Sequence, residues 1–158
     1  MSTVLQMIEL RTGSVADLPL VDSIMKTAFD PRFGEAWTRN QCLGILALPG
    51  VWLTMATLDG VPAGFALCRL IADEAELLLL ATVPAMRRRG VAAALLRSVI
   101  ADSAGEGARK LHLEVREGND AIKLYQGTAF IKVGERRDYY RGATGQSFHA
   151  FTYSRELT

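Results

Sequence analysis

The segment that most limits what this chain can become runs from Glu74 to Ala104. A nearly unbroken apolar run from Leu77 to Val83 ends at Pro84, passes through Arg87-Arg88-Arg89-Gly90, and resumes as Val91-Ala92-Ala93-Ala94-Leu95-Leu96. The uninterrupted Leu77-Leu78-Leu79-Leu80 predicts a central strand over Glu74–Val83 buried on both faces, because a strand with one wet face alternates apolar and polar residues. The alanine-rich stretch predicts a helix from Val91 to Ala104. A strand feeding a helix through a glycine-bearing loop points to α/β architecture.

Periodicity supplies the other elements. Ile8 to Thr12 reads as a short strand. Ser14 stands where an N-cap is wanted, with Asp17 three residues on, and Leu18, Val21, Ile24, Met25 and Ala28 recur at helical spacing up to Asp30-Pro31. A second helix is predicted from about Glu35 to Leu48, closed by Pro49-Gly50. Val51 to Leu58 and Ala63 to Leu70 are strand-like and flank Asp59-Gly60, a strong hairpin signal; the turn at Ala72-Asp73 leads into the central strand. Beyond the alanine-rich helix come a strand from Lys110 to Arg116, a short helix near Asp120 to Gln126, and strands near Phe130 to Gly134 and Phe148 to Tyr153. The order is β-α-α-β-β-β-α-β-α-β-β.

With 158 residues, 49% of them apolar, and no internal repeat or linker-like stretch, one domain over residues 1–158 is predicted. The formal net charge of +1 provides no global field toward nucleic acid. Leu77 to Val83 falls far short of the roughly 20 apolar residues a membrane span needs. Met1 to Gln6 shows no basic flank, apolar block and small-residue cleavage site, and Cys42 and Cys68 are the only cysteines. A soluble chain in a reducing cytoplasm is the expectation.

The arginine-glycine loop raises the question of a ligand. The first amides of a helix have no intrahelical partner and favour anions. Gly90 has no Cβ, and Ala92 and Ala93 are nearly as small, so a pyrophosphate has access to the backbone, with Arg87, Arg88 and Arg89 supplying charge. A solvated basic turn beside an ordinary helix is the competing reading. No Gly-x-x-x-x-Gly-Lys-Ser/Thr and no strand-linked Gly-x-Gly-x-x-Gly is present, which leaves a triphosphate P-loop and a dinucleotide fold without support.

Arg87-x-x-Gly90-x-Ala92 at this junction resembles the Gln/Arg-x-x-Gly-x-Gly/Ala signature of the GNAT acyl-CoA N-acyltransferases. Three downstream segments, Leu113-Glu114-Val115-Arg116, Ala121-Ile122-Lys123-Leu124-Tyr125 and Arg136-Arg137-Asp138-Tyr139-Tyr140, resemble the RimI-like branch, which acetylates the N-terminal alanine of a ribosomal protein. The resemblance is thinner in the first half, resting on Ala28-Phe29 and Trp37 of the segment that would wall the acceptor site. It implies the GNAT fold, a mixed central sheet of about six to seven strands flanked by about four helices. It also implies acetyl-CoA as co-substrate, held by Arg87, Arg88, Arg89, Gly90, Val91, Ala92 and Ala93 at the pyrophosphate and by backbone around Leu80, Ala81 and Thr82 at the acetyl carbonyl, where the family's strand bulges.

Transfer from a thioester to an amine needs a neutral nucleophile, oxyanion stabilisation and a proton for the thiolate. By resemblance Glu114 is the base and Tyr125 the acid. Read without it, Glu114 is a strand carboxylate paired with Arg116 or solvated, and Tyr125 a packed helix residue. An ordinary glutamate near 4.3 is far below an α-amine near 7.7–8.0, so a relaying water or a raised carboxyl is expected. The chain departs from the family in three places, the first being Thr82 where a valine is usual. Asn119 stands one position nearer to Tyr125 than the family's CoA-contacting asparagine, so Asn119 and Gly118 compete for that place, with a helix cap as the plain role of Asn119-Asp120; and Ala129-Phe130 replaces a Gly-Phe.

Other candidates carry less. His112 and His149 lack companions at ligand spacing, so no metal site is expected. Cys42 and Cys68 sit in apolar surroundings, Ser98 and Ser147 lack an elbow or base, and Tyr139 or Tyr140 is a candidate for the acceptor wall. The expected protein is an acetyl-CoA-dependent N-acetyltransferase working by direct transfer. Its favoured acceptor is a protein N-terminus, as on a ribosomal protein, with a small-molecule amine next. A non-catalytic acyl-CoA or RNA-binding module is the alternative class, no membrane partner is expected, and monomer and homodimer both stay open.

Overall fold

The structure is a computed structural model that describes residues 6–157. Seven strands form one sheet in the order β1-β2-β3-β4-β5-β7-β6. They are β1 (Ile8–Thr12), β2 (Val51–Leu58), β3 (Val61–Ile71), β4 (Glu74–Thr82), β5 (Lys110–Arg116), β6 (Ile131–Arg141) and β7 (Ser147–Glu156). Every neighbouring pair is antiparallel except β4 and β5. That parallel pair needs a crossover, supplied by α3 (Val91–Gly105). The helices α1 (Leu18–Ala28) and α2 (Arg39–Leu46) cover one face of the sheet; α3 and α4 (Ala121–Gly127) pack on a second cluster of buried residues.

Local chemistry explains most boundaries. Asp59 (φ 51°) and Gly60 (φ 80°) both take the left-handed conformation, as a two-residue hairpin with the twist of its strands requires. Ser14 and Asp17 form a reciprocal capping box, but around a 3-10 turn over Val15–Asp17, and α1 proper begins at Leu18. Its Leu18, Val21, Ile24 and Met25 are all buried against β2, β3 and β4.

The second helix is shorter than its sequence signal. Thr38 and Gln41 close a capping box that starts α2 at Arg39, not near Glu35, and the helix ends at Leu46. The freed residues form a loop with a 3-10 turn over Pro31–Phe33. The last hairpin is longer than expected, since β6 continues from Ile131 to Arg141 and β7 from Ser147 to Glu156. An irregularity between Arg136 and Tyr140 with Asp138 at φ 51° interrupts β6, and broken alternation there hides its second half in the sequence.

The expectation that β4 is buried on both faces needs correction. Ala75, Leu77, Leu79 and Ala81 are buried, while Leu78 and Leu80 are half-buried. Leu67 pairs with Leu79 and Cys68 with Leu77, so Leu78 is the extra residue of a β-bulge. The bulge therefore falls at Leu78 and not at Leu80–Thr82, which stay in register with β3. The bulge reverses which face each later residue takes: Leu77 joins the core under α3, and Leu79 joins the core under α1.

Candidate active site

β4 and β5 are paired only from Glu74–Lys110 to Leu77–Leu113. Beyond the Leu78 bulge they part, and the opening is a cleft of about 880 Å³ lined by both strands, the loop before α3, α4, and the loop after α1. Half-buried Leu78 and Leu80 line it, which is why a leucine run in a central strand is not fully covered. The Val83 amide donates to the Ala63 carbonyl at 2.8 Å, on the β3 side. Because N–H groups alternate along a strand, the Thr82 and Leu80 amides point the other way, into the split.

One end of the cleft is the start of α3. Gly90 caps the helix at φ 87° with no side chain to offer, and the first bond of the helix runs from Ala94 N to Gly90 O at 3.0 Å. The Val91, Ala92 and Ala93 amides are thus left without helical partners, and all three residues line the cleft. The three arginines divide. Arg87 and Arg88 line the cleft and Arg89 does not. Arg87 Nη2 donates to the Ala28 carbonyl at 2.6 Å, closing the C-terminal end of α1, and Arg88 holds the turn at φ 63°. Unpartnered helix amides and two arginines thus line this end of the cleft.

The other end holds the carboxylate and the phenol. Glu114 lines the cleft from β5 with its side chain 14% exposed. Its Oε1 receives Arg136 Nε at 3.0 Å and its Oε2 receives the Thr152 hydroxyl at 3.0 Å. Arg116, two residues along the same strand and the partner expected from proximity in sequence, bonds instead to Glu35, its Nε 3.1 Å from Oε1. Tyr125 is buried on α4 beside the cleft, edge-on to Phe130 with ring centroids 5.8 Å apart. Burial, with the nearby Glu35 carboxylate adding to it, pushes its phenol well above the ordinary value. Tyr140 lines the cleft as well, its hydroxyl 3.4 Å from the Glu114 carbonyl and its phenol also pushed up by burial.

The shortened approach to α4 is absorbed by a turn. Asn119 N donates to Arg116 O at 3.1 Å, and Gly118 takes φ 78° within it. Both Gly118 and Asn119 line the cleft, yet the Asn119 amide is engaged within the protein: Oδ1 accepts from Ala121 N at 2.8 Å, and Nδ2 donates to Glu35 Oε2 at 2.8 Å. Glu35 is the site residue that sequence reasoning missed. It lay in a presumed helix, and its partners stand more than 80 positions away. The only signal was an acidic residue in the acceptor-wall segment. Cys42 and Cys68 are buried and free, and burial raises both thiols, so neither offers a ready nucleophile. Among the described residues no cluster of potential metal ligands occurs, and no helix is long and apolar enough to cross a membrane.

The sheet splits beyond the parallel β4–β5 pair, and the cleft so formed has bare helix amides, suited to an anionic ligand, at one end. Residues 18–130 match the acetyltransferase (GNAT) family, and the chain belongs to it. It is 40% identical over 105 residues to the ribosomal protein bS18-alanine N-acetyltransferase of Haemophilus ducreyi, covering 66% of this chain and 72% of that protein. Its counterparts in Haemophilus influenzae and Escherichia coli K12 are 38% and 37% identical. Those two matches span 56% and 62% of the relatives' lengths. The crystal structure of the Escherichia coli ribosomal-protein-S18-alanine N-acetyltransferase superposes with a TM-score of 0.85 at 28% identity, over 96% of this chain and 95% of that one. An N-acetyltransferase from Staphylococcus aureus Mu50 shares the fold, with a TM-score of 0.77 at 18% identity.

Proposed function

We propose that this chain is an acetyl-CoA-dependent N-acetyltransferase whose acceptor is a protein N-terminal α-amine, on a ribosomal protein as in its relatives, in the cytoplasm. The observation that carries the reading is the split between β4 and β5, which joins the bare amides of α3 to Glu114 and Tyr125 within one cleft. The fit to acetyl-CoA is physical. Val91, Ala92 and Ala93 amides meet pyrophosphate at a point where Gly90 adds no Cβ, and the split gives the pantetheine arm a trench edged by unpaired strand amides. The inward-pointing Leu80 or Thr82 amide meets the acetyl oxygen and stabilises the charge that develops there.

In the reaction the amine nitrogen attacks the thioester carbon, the C–N bond forms and the C–S bond breaks. Glu114 takes the amine proton. Since both its oxygens already accept hydrogen bonds from Arg136 and Thr152, an intervening water is the natural carrier. Tyr125 gives its proton to the departing thiolate; burial keeps the phenol protonated at working pH, which suits a donor. With both cysteines buried, direct transfer needs no acyl-enzyme.

Amine acidity sets the test. At pH 7.5 an α-amine with a pKa near 7.7–8.0 is about a third neutral, whereas a lysine near 10.4 is neutral about one part in a thousand. Peptides with a free N-terminal alanine should be acetylated well ahead of N-terminally blocked peptides bearing one internal lysine, as read by mass spectrometry. Preference for lysine, or transfer only to small amines, would overturn the acceptor assignment; absence of any transfer would favour a binding module.

A further inference from the structure

The two arms that part at the β4–β5 split are rejoined at the acceptor side of the cleft. The loop after α1 crosses from the β1–β4 arm to the arm made of β5, β7 and β6. Glu35 anchors it: Oε1 takes Arg116 Nε at 3.1 Å and Oε2 takes Asn119 Nδ2 at 2.8 Å. The two charged side chains are only 10% and 11% exposed. Arg116 also donates to Glu117 O at 2.8 Å, and its Cζ stands over the Phe33 ring, 3.7 Å from the centroid. Phe33 in turn meets Phe148 of β7 edge-on at 5.3 Å. The backbone makes the same crossing, with Ala143 N donating to Pro31 O at 3.0 Å. A Cβ on Gly142 would overlap the Arg32 carbonyl, and one on Gly34 the Arg141 carbonyl.

Both Glu35 oxygens are thus occupied by protein donors. A buried ion pair of this kind contributes little net stability over well-packed apolar residues, so its use is geometric. The geometry leads to α4, because Asn119, held by Glu35, accepts from Ala121 N at the first turn of the helix that carries Tyr125. We propose that Glu35 and Arg116 are positioning residues, a buckle that ties the acceptor-side loop to the start of α4 and so holds the Tyr125 phenol where the leaving thiolate will stand. The proposal rests on the reading of Tyr125 as the acid.

The test uses the full chain, acetyl-CoA and a peptide with a free N-terminal alanine. The double variant Glu35→Met/Arg116→Met removes both charges but keeps bulk, the kind of replacement that buried ion pairs often tolerate. Arg116→Lys keeps charge and loses the planar fork and stack. Glu35→Gln keeps the shape but turns an amide NH2 toward one of the two donors that Glu35 accepts from. In all three, acetyl-CoA affinity should stay within about two-fold of wild type while kcat falls, by roughly ten-fold or more in the double variant. Amides of α4 should exchange hydrogen faster in the acetyl-CoA-bound protein. Wild-type kcat together with unchanged α4 exchange would overturn the buckle, and Glu35→Gln decides if the double variant does not fold. Should wild type transfer no acetyl to any peptide, the functional reading falls, and α4 exchange alone still decides the buckle.

Discussion

Replacing Gly90 with glutamate separates the cost of the fold from the cost of binding. A Cβ there would meet only Ile8 Cδ1, at 3.7 Å, so the protein has room for a side chain. What the fold loses is conformational: an L-residue at φ 87° costs about 1–2 kcal/mol, or about 2–8 °C of Tm in a chain of this size. Binding loses more. A carboxylate about 5 Å from one pyrophosphate charge is repelled by about 3.3 kcal/mol at an effective dielectric of 20, and by about 0.8 at that of water. The partly exposed loop lies between these limits, so charge alone weakens acetyl-CoA by roughly 4- to 250-fold, and the side chain's bulk adds to this. Titration calorimetry on Gly90→Ala, Gly90→Gln and Gly90→Glu resolves strain, bulk and charge in turn, and the gap between the last two should narrow in high salt. A folded Gly90→Glu protein with affinity within two-fold of wild type would remove the pyrophosphate from this loop.

Tyr125→Phe and Glu114→Gln should each lower turnover by roughly 10²–10⁴-fold with acetyl-CoA affinity little changed; wild-type rates under chemistry-limited conditions would refute both roles. The phenols of buried Tyr125 and half-buried Tyr140 are raised in the folded state, so their contribution is intact below the unfolded value near 10 and is lost as pH climbs above it. Alkaline unfolding should therefore begin above about pH 10 and shift upward in Tyr140→Phe, as followed by circular dichroism. Ala129 occupies the left-handed region at φ 67°, where the family resemblance expects glycine. Ala129→Gly should raise stability by about 0.5–1 kcal/mol in urea titration, the relieved strain exceeding the added chain entropy; a destabilised variant would refute that account.

What the chain carries locally was readable in advance. The Asp59-Gly60 hairpin, the Ser14–Asp17 capping box, and the junction where a leucine-rich strand meets Gly90 and a bare helix start each depend on residues within a few positions of one another. Their physics is backbone sterics and short-range hydrogen bonding, which a sequence displays directly. Glu114 and Tyr125 were nameable as candidates, because a strand motif and a helix motif carried the family resemblance, and both line the cleft.

Tertiary structure decided the rest. Whether Glu114 pairs with Arg116 or Arg136 depends on β6 lying beyond β7, and β6 was half concealed by its irregular stretch. Arg87 makes a contact that its motif does not announce, donating to the Ala28 carbonyl at 2.6 Å while it lines the cleft. The Leu78 bulge, which ends the β4–β5 pairing and opens the cleft, arises from register with β3, and nothing in a run of four leucines marks which one is extra. Glu35 reaches Arg116 and Asn119 across more than 80 residues. Such contacts are chosen by which buried charges and backbone groups remain to be satisfied once the sheet is assembled, and that choice is a property of the packed chain, with no local periodicity to announce it.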